Sequence, residues 1–332
     1  MNKSNSHTSP DKRIIYRTQK KVKKLQTDTV AILMATFNGQ KFLEEQIQSI
    51  ESQSYQKWKI WISDDESKDD TFKKLLCLEQ RIGKSRISIN KGPQKGFCQN
   101  FLSLICNADI KADFYAFADQ DDIWQTNKLK RAVDWLKPIP KQLPALYCSR
   151  TEIVNDLGKS IGLSPLFRKT PSFANALVQN IAGGNTMVMN DAARLLLKNA
   201  GEYVQAISHD WWAYQLITGA GGLVFYDPVT EVKYRQHGNN LVGSNNNLSQ
   251  KFQRIILLFR GRFRYWNTVN IQSLNKARFL LNEKNLITLE AFSNARDGNL
   301  FVRLKGMYMS GVYRQTLCGN IGLFVATVFR KL

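Results

Sequence analysis

Acidic residues are scarce in this chain: 27 Asp and Glu stand against 47 Lys and Arg in 332 residues, a formal net charge of +20. The surplus sits at the ends, with +7 in residues 1–27 and +11 in residues 241–332, against +2 across residues 28–240. No zinc-finger spacing, RNP-like aromatic motif or helix-turn-helix pattern organises this charge, so nucleic acid is not an expected partner. Basic ends around a neutral middle suit an anionic membrane surface instead. Cysteine is sparse too. The five (Cys77, Cys98, Cys106, Cys148, Cys318) show no Cys-x-x-Cys spacing, which argues against a zinc site or a disulfide framework and fits a reducing compartment. Long apolar runs are missing: the longest uncharged stretch near the end, Gln315 to Phe329, falls short of the roughly 20 residues that span a bilayer. The first residues lack the apolar core of a secretory signal. The expected location is the cytoplasm, with the basic ends suited to the inner face of the cell membrane.

What the chain has is ample material for a core, 43% hydrophobic residues over a length that fits one large domain with an appendage. Residues 1–27 read as a basic N-terminal arm, 28–240 as the main domain, and 241–332 as a basic helical region. From Lys251 to Trp266 the residues Phe252, Ile255, Ile256, Phe259, Phe263 and Trp266 recur at helical spacing, interrupted by Gly261. Such a stripe either packs on the protein's own core or lies on an anionic leaflet.

The middle segment repeats one unit. Thr29 to Ala35, Trp58 to Ile62, Ile87 to Ile89 and Phe114 to Ala118 read as strands, each ending in a polar or glycine-containing loop and leading into a helical pattern. Repeated strand–helix units imply right-handed crossovers and a mostly parallel sheet with helices on both faces. Ligands bind such sheets outside the carboxyl ends of the strands, which brings the four loops to one edge.

The fourth loop is the most concentrated chemically. Asp119-Gln120-Asp121-Asp122 places three carboxylates within four residues at the end of a buried strand, an arrangement that calls for a counter-cation. Oxygen ligands of this kind suit Mg²⁺ or Mn²⁺, which keep positions open for water and substrate phosphates. Asp64 and Asp65 end the second strand and can accept hydrogen bonds from a nucleobase or ribose. The loop Gly92 to Gly96 lets backbone amides approach a nucleotide closely. Downstream, Arg235 and His237 supply a cation and an imidazole able to reach a diphosphate or a metal.

In order, Thr36-Phe37-Asn38, Ser63-Asp64-Asp65-Glu66-Ser67, Asn90-Lys91-Gly92 with Asn100-Phe101, and Asp119-Gln120-Asp121-Asp122-Ile123-Trp124 resemble the sequential motifs of the family 2 glycosyltransferases, which have the Rossmann-like GT-A fold. The resemblance covers about residues 28–240. It implies an enzyme that moves a sugar from a nucleoside-diphosphate donor, dTDP- or UDP-linked, to a saccharide hydroxyl. Asp119 and Asp121, with His237, would hold the metal. Thr36, Phe37, Asn38, Asp64, Asp65, Lys95, Gly96, Asn100, Asp119, Gln120 and Arg235 would bind the nucleotide. Asp210, in Ser208-His209-Asp210-Trp211-Trp212, would be the general base of an inverting displacement, with His209 where the family usually has an acid. Gly183, Gly184 and Asn185, with Asp122, Trp124 and Trp211, would line the acceptor side.

Processive synthases of this family carry a Gln-x-x-Arg-Trp motif and transmembrane helices, and this chain shows neither, so one or a few additions are expected. The Asp-Gln-Asp-Asp-x-Trp form of the motif with a short C-terminal helical region resembles bacterial rhamnosyltransferase-like enzymes of surface-polysaccharide assembly, and docking on a membrane surface would suit an acceptor that is a lipid-linked saccharide. Two rivals remain. A nucleotidyltransferase would bring a glycine- and basic-rich loop after the first strand, where Thr36-Phe37-Asn38-Gly39 stands. A non-enzymatic membrane- or nucleic-acid-binding protein would use the basic ends alone.

Overall fold

In the computed structural model, which describes residues 28–202, 204–236 and 260–332, the expected strands form the parallel half of a nine-stranded sheet. β1 (Val30–Thr36), β2 (Trp58–Asp64), β3 (Ile87–Lys91) and β4 (Phe114–Ala118) alternate with α1 (Leu43–Glu51), α2 (Thr71–Ile82) and α3 (Phe97–Cys106). The register pairs Thr36 with Asp64 and Asp64 with Lys91, so three strand ends line up at one edge. β4 runs beside β1 on the other side, with Ala118 opposite Met34. The basic arm, His237 and the stripe residues from Phe252 to Phe259 lie outside the described residues.

These strands are apolar along their whole length because both faces are covered. In β1, Val30, Ile32 and Met34 face one core with α1, α2 and α4 (Lys128–Leu136), whereas Ala31 and Leu33 face a second with α3. The second core also takes α5 (Phe173–Ala176), α6 (Asp191–Ala200) and α7 (His209–Gly219).

Beyond β4 the sheet changes direction. β8 (Val188–Asn190) pairs antiparallel with β4 and with β6 (Ala145–Val154), β9 (Leu223–Arg235) runs parallel to β6, and β7 (Ser160–Leu163) hangs on β6. The two-residue β5 (Ile123–Trp124) pairs with β9, Ile123 opposite Lys233 and Trp124 opposite Val232. The chain leaving β4 therefore crosses the top of the sheet to reach β9. The segment that makes this crossing is Asp119 to Asp122.

The C-terminal segment adds α8 (Arg262–Lys276), α9 (Glu283–Asn294), α10 (Leu300–Ser310) and α11 (Leu317–Val328). The helix expected through Gly261 begins just after it, because Gly261 takes the left-handed conformation (φ 86°) that a helix interior rejects. Leu274, Leu289, Phe292, Leu323 and Ala326 are buried in the same core as α3 and α7. This part of the basic region packs on the catalytic body. Among the described residues, no helix is long and apolar enough to cross a membrane.

Candidate active site

At the ends of β1 to β3 the polar side chains hold one another. The Asp64 carboxylate accepts hydrogen bonds from Thr36 Oγ1 (2.8 Å), Ser67 Oγ (2.6 Å) and the Ser67 amide (2.9 Å). Asp65 accepts from the amides of Gln94 (2.5 Å) and Gly96 (2.9 Å), which fastens the loop before α3 to the end of β2. Gly92 sits so close that a Cβ there would meet Asp65 Oδ1 at 2.6 Å. Asn38 accepts from the Lys68 amide while its own amide donates to Ser67 Oγ. Asn100 is buried and donates to the Ser63 carbonyl, so it ties α3 to β2 from below. Phe37 is 55% exposed at this edge, and Lys95 is also exposed.

Gln120 links this set to the aspartate loop. Its amide accepts from the Phe37 N–H and donates to the Phe37 carbonyl, both at 2.9 Å, in the manner of a neighbouring strand. A Cβ at Gly39 would land 2.1 Å from Gln120 Oε1, so only glycine leaves room for this clasp.

The aspartates divide into two kinds. Asp122 is buried, with Oδ2 accepting from Asn185 Nδ2 (2.5 Å) and Oδ1 from the Arg235 amide (3.2 Å). Burial, then the charge of Asp121, pushes its carboxyl up to about 7, against these hydrogen bonds. No hydrogen-bond donor among the described residues reaches the Asp119 carboxylate. Loss of solvent and the charges of Asp122, Asp121 and Asp210 push it well above the usual carboxylate range, against the charge of Lys128, which pulls it down. Four carboxylates are thus close enough to feel one another.

Asp210 opens α7. Its Oδ2 accepts from the Gly184 amide (3.2 Å) and its Oδ1 from the Trp211 amide (2.6 Å), which aims the carboxylate by two backbone N–H groups. His209 before it is buried, stacked on Phe101 with ring centroids 3.9 Å apart and edge-on to Phe117 at 4.8 Å. Neither ring nitrogen has a hydrogen-bond partner among the described residues, and burial pushes the imidazole down to about 4, against the charge of Asp210. A Cβ on Gly184 would fall 2.2 Å from His209 Nε2. The glycine lets its backbone sit against the ring and donate to Asp210.

Several residues expected on the site stand behind it. Arg235 is buried; its side chain donates to the backbone carbonyls of Asp121 (3.0 Å) and Asp156 (2.5 Å) and pairs with Glu45, so it clamps the aspartate loop from inside. Trp124 and Trp211 are 3% and 5% exposed, within the packed interior. Asn185 is also buried, holding Asp122. The reading from sequence missed Lys128, the first residue of α4. It is fully buried, lies 3.6 Å from the centroid of the Trp124 ring, and has no hydrogen-bond partner among the described residues. Burial pushes it down to about 7, against the charges of Asp122, Glu231 and Asp119. The signal was present: Lys128, Ala132 and Leu136 share one buried face of α4, and a cation on such a face is unusual.

Among the described residues no group of three or more His, Cys, Asp or Glu side chains stands ready to hold a metal. Asp122 is engaged by Asn185 and the Arg235 amide, and the ion would fall to Asp119 and Asp121. Two carboxylates suit a Mg²⁺ or Mn²⁺ ion that is otherwise coordinated by substrate phosphates and water. The like-charge crowding around Asp119 is relieved by such a cation, so the residues fit one.

The family described as Glycosyl transferase family 2 matches residues 31–196, half of the chain. A dTDP-rhamnosyl transferase of Shigella flexneri, RfbG, is 29% identical over 237 residues, 68% of this chain and 78% of that protein. The Escherichia coli protein WfgD, a UDP-Glc:alpha-D-GlcNAc-diphosphoundecaprenol beta-1,3-glucosyltransferase, is 30% identical over 128 residues, 38% of this chain and 47% of that protein. Among solved structures, Staphylococcus aureus TarS 1–349 in complex with UDP-GlcNAc superposes with a TM-score of 0.51 at 14% identity, covering 86% of this chain and 93% of that one. GalNAc-T7 with UDP, GalNAc and Mn²⁺ superposes with a TM-score of 0.53 at 10% identity, covering 90% and 56%. The fold shared with these structures is GT-A.

Proposed function

This chain is a glycosyltransferase belonging to family 2, and we propose that it is an inverting, divalent-metal-dependent member that transfers one sugar, rhamnose by preference, from a nucleoside diphosphate to a saccharide hydroxyl. The observation that carries this reading is the placing of Asp210. Two backbone amides aim it toward a site where Asp119, Asp121 and Asp122 crowd together, so a proton acceptor and a cation site stand on one sheet edge. Asp210 takes the proton from the acceptor hydroxyl as that oxygen attacks the anomeric carbon. The bond to the diphosphate breaks on the opposite face, which inverts the centre. Asp119 and Asp121 would hold the metal, whose chemistry when bound is to stabilise negative charge on the departing diphosphate. The exposed Phe37 and the mutually braced loops of β1 to β3 would receive the nucleotide. Gly183 and Gly184 would border the acceptor.

The name of RfbG, a dTDP-rhamnosyl transferase, favours a dTDP-rhamnose donor, and the GlcNAc-diphosphoundecaprenol in the name of WfgD favours a lipid-linked saccharide acceptor. The C-terminal helices support work at an anionic membrane. α10 leaves Phe301, Lys305 and Tyr308 exposed at helical spacing, α11 does the same with Leu317, Ile321 and Phe324, and residues 298–332 contain no Asp or Glu. Sedimentation with phosphatidylglycerol vesicles should be lost when Phe301 and Phe324 are both changed to Ser; unchanged sedimentation would remove this surface from the reading.

The transfer itself is tested by screening UDP-, dTDP- and GDP-sugars for Mn²⁺-dependent hydrolysis by the purified protein. The expected result is turnover with a dTDP- or UDP-sugar that stops with chelator and with Asp121→Asn. Turnover indifferent to both would overturn metal dependence.

A further inference from the structure

The reaction so described leaves one buried polar ring without a task. His209 is 4% exposed, and neither of its nitrogens has a hydrogen-bond partner among the described residues. Three aromatic rings hold it: Phe101 stacks on its face, and Phe117 and Phe97 meet it edge-on, with centroids at 3.9, 4.8 and 6.1 Å. An unpartnered imidazole in such surroundings costs more than a hydrocarbon side chain of the same bulk. What the ring offers is its outline, flat enough to stack on Phe101 and long enough to reach the next element. That element is Gly184. A Cβ there would fall 2.2 Å from Nε2 and 3.0 and 3.2 Å from Cε1 and Cδ2, so the tip of the ring is aimed at the glycine.

The turn that receives this tip is the one that aims the base. The Thr186 amide (3.1 Å) and hydroxyl (2.9 Å) both donate to the Gly183 carbonyl, and the Met187 amide donates to the Gly184 carbonyl (2.8 Å), so the turn is a stiff unit, which Asn185 fastens to Asp122. The Gly184 amide donates to Asp210 at 3.2 Å, the longer of the two hydrogen bonds that orient this carboxylate. That length is at the upper end of the effective N–H···O range, so a shift of about 0.5 Å would break it. We propose that His209 is a positioning residue, a wedge whose tip seats Gly184 so that the glycine amide holds Asp210 toward the acceptor hydroxyl. The proposal rests on the reading of Asp210 as the general base. His209 acts through Gly184 and touches neither sugar nor nucleotide. A leucine in its place is too short to support the turn, and a methyl group on Gly184 would collide with the ring.

The test is steady-state turnover, with Mn²⁺ present, of the dTDP- or UDP-sugar that the wild type accepts, for the wild type, His209→Leu, Gly184→Ala and the double variant. Calorimetric titration with UDP or dTDP counts the folded sites in each preparation, and kcat is taken per site. His209→Leu should lose about tenfold in kcat and Gly184→Ala about 100-fold, with the donor KM within about twofold of the wild type, because only the base is displaced. Together the two changes should compensate. The leucine makes room for the methyl group, so the double variant should exceed Gly184→Ala about tenfold in kcat. His209→Ala, which clears more of the ring, is read in the same way should the leucine variant not fold. A double variant whose loss is the product of the single losses overturns the proposal, as does a loss carried by KM instead of kcat. A wild type that turns over no sugar nucleotide, or turnover that survives Asp210→Asn, removes the reading of Asp210 and this proposal together. Turnover that Asp210→Asn abolishes and His209→Leu leaves unchanged removes only the role of His209.

Discussion

The two halves of the sheet edge are built on opposite terms. At the ends of β1 to β3, Thr36, Asp64, Ser67, Asp65 and the amides of Gln94 and Gly96 satisfy one another, and what is left over there, Asn90 Nδ2 and Asn100 Oδ1, belongs to neutral amides. Around β4, α4 and α7 the buried or crowded groups go unanswered: the Asp119 carboxylate, the Lys128 ammonium and both nitrogens of His209. Buried polar groups without partners are costly, and folds that keep them usually do so where function requires it. The first half is scaffolding that presents backbone and aromatic surface. The second half holds its charges poised.

That difference predicts different phenotypes for two similar substitutions. Asp210→Asn keeps the size but only one acceptor oxygen for the two amides of Gly184 and Trp211, so it should cost about 1 kcal/mol of stability while transfer falls about 10³-fold, the loss typical of a removed general base. Donor binding should persist, and equal loss of binding and transfer would show Asp210 to be a structural cap. Asp64→Ala should reverse the pattern. It strips an acceptor from three donors at once and should cost about 3 kcal/mol of stability, with residual turnover at saturating donor. Denaturant titration and donor saturation curves separate the two cases. A stable Asp64→Ala protein would break the comparison.

The same division explains what could be read from the sequence. Alternating strands and helices are local patterns, so β1 to β4, their order of loops and the aspartate motif were legible in advance. The partners of the loop residues were not. Gln120, expected on the nucleotide, clasps Phe37, 83 residues away, and Arg235, expected to offer a cation to the diphosphate or the metal, donates to the Asp121 carbonyl. Both outcomes follow from long-range pairing, of β5 with β9 and of the aspartate loop with the end of β1. No periodicity records such pairing. Lys128 was a polar intruder on an apolar helical face, but which carboxylates it would meet depends on the crossing of Asp119 to Asp122 over the sheet.

The smallest expected effect sharpens the comparison most, because the two poised groups pull stability in opposite directions with pH. His209 titrates near 4 in the folded protein against 6.5 ordinarily, so its contribution is fully present above pH 6.5 and is lost as pH falls and the unfolded chain takes up the proton. Asp122, raised by burial to about 7 from 3.8, does the reverse: the folded protein takes up its proton first, and stability from this group grows as pH falls below 7. In the metal-free wild type the two slopes oppose each other, so a flat profile would say nothing about either. His209→Leu isolates one of them, since it keeps an apolar side chain against Phe101 and titrates nothing. The difference in unfolding free energy between wild type and His209→Leu should therefore move against the wild type by about 1 kcal/mol between pH 7.5 and 5.5. The wild type loses the same increment whether or not Mn²⁺ is added if His209 is insulated from the aspartates. A difference that depends on Mn²⁺ would join His209 to the cation site and merge what the structure keeps as two separate groups.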